Sequence, residues 1–224
     1  MLALALAFGA WGSVMAADVP QQPLPLPRDV RVEIIGDDMR FNGAPMQIVR
    51  FDTEDEARTE AFYRDFFARH GQGNKSSMTG QGDGRLLAGM YQGRLITAEF
   101  QAQDGRAGSV LLSSIELGQL MPPAQLATQW PRLPGTEVLQ VIESRDGAIR
   151  NSVTSMRNSQ SVEGNAAYLR AEMLRLGWTR QRDETERTQV ARQLMFSKEG
   201  RDSLIDIRRL PSGETYLIVN ETRR

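Results

Sequence analysis

Alternating apolar and polar residues, interrupted by turn-forming pairs, run through much of the chain. Asn42-Gly43 and Asp146-Gly147 each separate two alternating stretches. Asn-Gly and Asp-Gly pairs in this setting are the strongest short-range signals of a β-hairpin. We therefore predict one hairpin in each half of the chain, at an offset of roughly 105 residues. The flanking stretches are 30–41 and 46–51 in the first half, and 137–144 and 148–156 in the second.

A helical pattern follows each predicted hairpin. In the first half, Thr53 and Glu56 have the spacing of a capping box, and the helix is expected to end near Gly71. The second helix is expected to begin at Ser161 and to end at Gly177. Apolar residues recur every three or four positions, which predicts one face packed on a sheet. They are Phe62, Tyr63, Phe66 and Phe67 in the first helix, and Val162, Ala166, Leu169, Met173 and Leu176 in the second.

Three further strand-like stretches, separated by glycine-containing turns, follow each helix. They are 86–91, 95–101 and 109–114 in the first half, and 190–196, 203–209 and 215–220 in the second. The predicted fold class is α+β, with two tandem small modules that arose by duplication. Each module has the order strand-strand-helix-strand-strand-strand, in which an antiparallel sheet carries one helix packed on a face.

The segments outside the modules have their own composition. Residues 1–17 carry no charge, and small side chains before Ala17 predict a signal peptide at 1–16. No Lys or Arg precedes Asp18, which is atypical of a signal peptide. The alternative is a retained anchor, although the stretch is shorter than the roughly 20 residues that span a bilayer. We then expect a proline-rich extended leader at 17–28, the first module at 29–120, a proline-rich linker at 121–135 and the second module at 136–224.

Composition removes several classes of function. The chain contains no cysteine, which excludes disulfides, thiolate metal sites and a lipid-anchored lipoprotein. The formal net charge is −1 with no concentrated basic stretch, so we expect no nucleic-acid partner. After the signal peptide, no apolar run approaches membrane-spanning length, and we expect no stable membrane insertion.

Candidate catalytic residues are few. The single histidine, His70, lies at the end of the aromatic stripe, where packing and the helix carbonyls explain it. Ser76 and Ser77 lie in the glycine-rich stretch 71–84, which we expect to be a mobile loop, and Lys75 follows Asn74 where a phosphate-binding loop needs glycine. Acidic clusters occur at Asp37-Asp38, at 52–56 and at 183–186, where turns and a helix start explain them. We assign no catalytic residue, metal ligand or cofactor, and the binding residues stay unknown.

The aromatic Trp130 is a separate case, because the proline-rich linker around it offers no periodic core. It either wedges the two halves together, which we favour, or is exposed for a partner. Trp178 follows the second helix and is expected to pack back on it.

These observations lead to a functional hypothesis. We expect a non-catalytic exported envelope protein in the periplasm of a Gram-negative bacterium, or secreted from it. Its duplicated modules would bind or scaffold another envelope protein, in a secretion, pilus or surface-assembly system, through sheet edges or the linker. The alternatives are a periplasmic module for a small apolar or glycan ligand and a carboxylate-dependent hydrolase.

Overall fold

The computed structural model describes residues 23–71, 77–81, 84–101, 108–186 and 190–224. The predicted signal peptide and the first half of the leader, 17–22, lie outside these residues. The described residues form twelve strands, two α-helices and two short 3-10 turns, at Leu117–Gln119 and Pro123–Gln125. In chain order the main elements are β1 (Val32–Phe41), β2 (Ala44–Thr53), α1 (Glu56–His70), β3 (Ser77–Gln81), β4 (Gly84–Tyr91), β5 (Arg94–Gln101), β6 (Gly108–Glu116), β7 (Glu137–Asp146), β8 (Ile149–Asn158), α2 (Val162–Arg175), β9 (Thr179–Thr185), β10 (Ala191–Lys198), β11 (Arg201–Arg209) and β12 (Thr215–Arg223).

All twelve strands belong to one antiparallel sheet. Its order is β3-β4-β5-β6-β2-β1-β7-β8-β12-β11-β10-β9. Outward from the contact between β1 and β7, each strand of the first half takes the same place as the strand numbered six higher in the second half. The predicted fold class, two separate α+β modules each with its own sheet, is therefore wrong. Turn signals show which neighbouring strands form hairpins, but the pairing of β1 with β7 joins residues about 100 positions apart, and no local pattern encodes it.

We call the contact between β1 and β7 the seam. Met39, Arg40 and Phe41 lie opposite Ser144, Glu143 and Ile142. Each end of β7 and β8 follows the corresponding end of β1 and β2 by 105 residues. The origin of this correspondence by duplication stays a prediction.

Neither edge strand, β3 or β9, was predicted from the sequence. β3 lies in the stretch 71–84, which was predicted to be a loop, and β9 follows α2 where no strand was expected. Edge strands need no apolar alternation when neither face is deeply buried, and nearly every residue of β9 is exposed. Their patterns therefore lack the signal that identified the inner strands.

Two hydrophobic clusters lie on the face of the sheet that carries the helices. The first joins α1 to β2, β4, β5 and β6 through residues such as Phe67, Leu87 and Phe100. The second joins α2 to β10, β11 and β12, with Leu169, Phe196 and Val219 among its members. Leader residue Leu24 is buried in the first cluster, and the Tyr63 hydroxyl donates a hydrogen bond to the Pro25 carbonyl at 3.1 Å. Burial raises the pKa of Tyr63, so this hydroxyl keeps its proton.

The helix ends follow local capping chemistry. Ser161 caps α2 and accepts a hydrogen bond from the Gly164 N–H, as the pattern predicts. Gly177, with φ +80°, ends the helix, and the Trp178 N–H donates to the Met173 carbonyl. The predicted capping box at Thr53 is wrong. Asp55 is the N-cap of α1, because Thr53 ends β2 and its hydroxyl bonds instead to the Thr59 hydroxyl at 2.7 Å.

Asn42, in the turn between β1 and β2, holds three segments together at the seam. Its N–H donates to the Val141 carbonyl at 2.8 Å, and its Oδ1 accepts from the Val141 N–H at 2.8 Å. Its own carbonyl accepts from the Met121 N–H at 3.0 Å, at the start of the linker. Asn42 is buried and has φ +48°, a conformation that asparagine tolerates better than most residues.

We expect Asn42→Ala to lower the free energy of unfolding by about 2 kcal/mol, because the Val141 N–H loses its acceptor inside the fold. Gln92→Ala is the matched control. Gln92 has φ +50° in the turn between β4 and β5, but its side chain is exposed and makes no hydrogen bond to the described residues. Urea unfolding measures both variants. Equal losses would show that the turn backbone, and not the seam, is responsible.

Candidate functional site

A groove crosses the sheet beside the seam, on the face that carries the helices. α1 packs mainly on β4, and α2 packs on β9, β10 and β11, so both helices sit toward the outer strands. Between them, β7, β8 and the end of β12 form the floor, and linker residues 127–130 form one wall. The groove has a volume of about 510 Å³. We call it the seam groove.

Charged and polar side chains dominate the lining of the seam groove. Four arginines and three acidic residues contribute to it, together with Trp130 and several small polar residues. The charged residues are Asp38 and Arg40 from β1, Glu143 and Arg145 from β7, Arg150 from β8, and Glu221 and Arg223 from β12. Asp38 and Arg40 bring the first half of the chain into the site across the seam.

Glu221 is the organising residue of the groove. Its side chain is 1% exposed, and donors surround both of its oxygens. Oε1 accepts from Arg201 Nε at 2.7 Å and Arg223 Nε at 2.8 Å, and Arg201 Nη2 forms an ion pair with it at 2.6 Å. Oε2 accepts from Gln129 Nε2 at 2.8 Å and Arg223 Nη2 at 3.1 Å. A buried carboxylate needs such compensation, and here it is supplied by β11, β12 and the linker.

The linker is anchored beside Glu221 by two indoles that pack against each other at a tilt of 43°. The ring centroids of Trp130 and Trp178 lie 5.7 Å apart, and the Arg201 guanidinium lies 4.8 Å from the Trp178 ring centroid. Trp130 is 5% exposed and belongs to the cluster of the second half. It therefore holds the linker against the second half, in place of the predicted wedge between the two halves. Trp178 packs with α2 residues in the same cluster.

The histidine candidate lies apart from the groove. His70 is exposed at the end of α1, with its ring centroid 5.2 Å from that of Phe66. Ser76 lies outside the described residues, as does Lys75, and Ser77 begins β3. The structure does not bring His70 to any of the groove residues.

The acidic clusters have separate structural environments. Of the side chains of these clusters that the structure describes, only that of Asp38 lines the groove. In the second cluster, Asp55 caps α1 and Glu56 pairs with Arg85. Asp183 of β9 accepts from Arg192 at 2.7 Å and from Arg170 at 3.0 Å. Burial opposes ionisation of Asp183, but these two guanidinium bonds outweigh it and hold its pKa below the usual range. This cluster fastens α2 to the sheet edge.

Sequence reasoning missed Glu221, Arg201 and Arg223, the residues that organise the groove. They lie on two neighbouring strands whose alternation reads as ordinary amphipathic sheet. One signal was present: Glu221 occupies the buried position after Leu217 and Val219, where the alternation calls for an apolar residue.

The described residues contain neither a cluster of metal-ligating side chains nor a membrane-spanning helix. No group of three or more histidine, cysteine, aspartate or glutamate side chains there is placed to hold a metal ion. None of the helices in those residues is both long and apolar enough to span a bilayer.

Comparisons with known proteins give little. Neither a protein-family model nor a curated protein matches this sequence. Among solved structures, the chain is similar to the apo structure of immunity protein TplEi of T6SS from Pseudomonas aeruginosa. The two chains share 9% sequence identity, with 89% of this chain and 83% of that chain covered, and the TM-score is 0.28. A TM-score this low supports no inference about function.

Proposed function

We propose that this chain is a non-catalytic binding protein that holds a partner protein in the seam groove. The observation that carries the proposal is the lining of the groove: charges of both signs, contributed by both halves of the chain, beside a deeply buried Glu221 that fixes the floor. Fixed charges of both signs select a complementary partner surface and set its register.

Catalysis is the weaker alternative on this geometry. A general acid or base must exchange a proton with a substrate, and five donor contacts already occupy both oxygens of Glu221. The two other carboxylates of the groove, on Asp38 and Glu143, stand among arginines, and Glu143 lies opposite Arg40 in the sheet. This arrangement suits ion pairing better than proton transfer.

A small apolar ligand is also less well supported. Sites for such ligands are concave and mainly apolar. The seam groove is open and polar. The aromatic stripe of α1 packs inside the fold and does not line a ligand cavity, since Tyr63 and Phe67 are buried in the first cluster.

The route through sheet edges is weakened as well. The side chains of Arg180, Arg182 and Glu184 are exposed along β9, and charged edge strands resist pairing with another strand. We therefore place the partner in the groove and not at this edge. We keep export to the periplasm as part of the proposal, because of the uncharged segment 1–17, with another envelope protein as the partner.

The proposal is tested by site-specific photocrosslinking in the native host. A p-benzoylphenylalanine residue replaces Ser152, which lines the groove, or Ser113, a half-buried serine on β6 outside the groove. We expect one defined protein to cross-link from position 152 and not from position 113. Cross-linking of the same proteins from both positions, or of none from position 152, would refute the assignment of the groove as the binding site.

A further inference from the structure

Four arginines form a row across four neighbouring strands. Arg145 lies opposite Arg150, Arg150 lies opposite Arg223, and Arg223 lies opposite Arg201. Strands in a sheet are about 4.8 Å apart, so the row extends over roughly 14 Å. Three of the four, Arg145, Arg150 and Arg223, line the seam groove. We call this set the arginine row.

The charge of the row is only partly compensated within the chain. Glu221 pairs with Arg201 and Arg223, at one end. Arg145 and Arg150 are exposed, and their side chains make no ion pair or hydrogen bond with the described residues. Asp146, the neighbour of Arg145 in β7, belongs to the opposite face of the strand, and Glu143, the nearest acidic residue on the same face, lies opposite Arg40. Like charges placed directly opposite each other destabilise a sheet, so the fold alone gives no reason for this arrangement.

We propose that the arginine row binds an acidic segment of the partner protein, with carboxylates of that segment seated on Arg145 and Arg150. This inference rests on the proposed function and names the chemistry of the partner. A guanidinium presents two parallel N–H donors that match a carboxylate. The donors of Arg145 and Arg150 have no acceptor among the described residues, so both guanidiniums can bind a carboxylate in this way.

The surroundings of the row favour a polypeptide over a polyphosphate. Asp38 and Glu143 line the same groove next to the row. These carboxylates repel a continuous chain of phosphates, whereas a peptide can place acidic residues over the row and basic or neutral residues beside Asp38 and Glu143. The net charge of the chain, −1, also gives no general attraction for nucleic acid.

The test measures binding of a fluorescein-labelled peptide of alternating aspartate and serine by fluorescence anisotropy. The full chain is compared with the double variant Arg145→Gln/Arg150→Gln. The matched control is Arg58→Gln/Arg69→Gln, which removes two exposed arginines of α1. We expect the row variant to bind about tenfold more weakly or worse and the control to bind like wild type. Raising the salt concentration from about 0.05 M to about 0.5 M should remove most of the wild-type binding.

Thermal unfolding separates binding from structure. The row variant should melt at the wild-type temperature or slightly above it, because a like-charged pair has been removed. Equal peptide affinity in wild type and row variant, or tighter binding of a single-stranded oligonucleotide of equal charge, would overturn the inference. If position 152 still cross-links its partner at wild-type yield in the row variant, this inference fails while the proposed binding function stands.

Discussion

Truncation of Phe67 to alanine is expected to lower the free energy of unfolding by about 3 to 5 kcal/mol, through lost transfer energy and a residual cavity. Phe67 is 2% exposed and lies where α1 packs on β4. A Cβ added to Gly89 of β4 would lie 2.5 Å from the Phe67 ring, so the ring rests directly on the glycine backbone. Because Gly89 has no side chain that could move into the space, the cavity should stay largely unfilled.

Urea and thermal unfolding measure this effect, with Asp65→Ala as the control on the exposed side of α1. Glu60 is unsuitable as the control, because its side chain is 13% exposed and bonds to Arg64 at 2.7 Å and Arg85 at 2.9 Å. Glu60→Ala would therefore remove real contacts. A loss below about 1 kcal/mol for Phe67→Ala would contradict the packing of α1 described here.

Local signals in the sequence predicted the local parts of this fold. Asn42-Gly43 and Asp146-Gly147 lie in or at the turns of the first hairpin of each half, and Gly177 ends α2 with the left-handed backbone that glycine allows. The sheet as a whole could not be predicted in this way, because it depends on β1 pairing with β7. The residue that extends this contact, Asn42, was recognised only as a turn residue, although its side chain bonds to Val141.

The site was predictable only in its hydrophobic part. Trp130 stood out because the linker around it has no apolar period, and the structure places it beside the groove. Glu221, Arg201 and Arg223 form no motif, since their relation is lateral, across strands, and not along the chain. Cross-strand neighbours depend on register, and register becomes visible only once the strand order is known.

Replacement of Glu221 by alanine is the second large expected effect, a loss of about 3 kcal/mol in the free energy of unfolding. Removal of one partner from a buried ion pair leaves the other charges uncompensated, which typically costs about 3 to 5 kcal/mol. The side chains of Arg201 and Arg223 are 30% and 43% exposed, so water offsets part of the cost and the lower end applies. For a protein of this size, the melting temperature should fall by roughly 6 to 12 °C.

Glu184→Ala is the control for Glu221→Ala. Glu184 pairs with Arg182 at 2.6 Å, but these side chains are 56% and 49% exposed, and such surface pairs contribute about 0 to 1 kcal/mol. The loss of the Gln129 bond should also loosen the linker, so the tryptophan emission of the folded Glu221→Ala protein should shift to longer wavelength as Trp130 meets water. An unchanged emission together with a melting temperature like that of Glu184→Ala would show that Glu221 does not organise the groove. In that case the Glu221 carboxylate would not be what holds Arg223 in position within the arginine row.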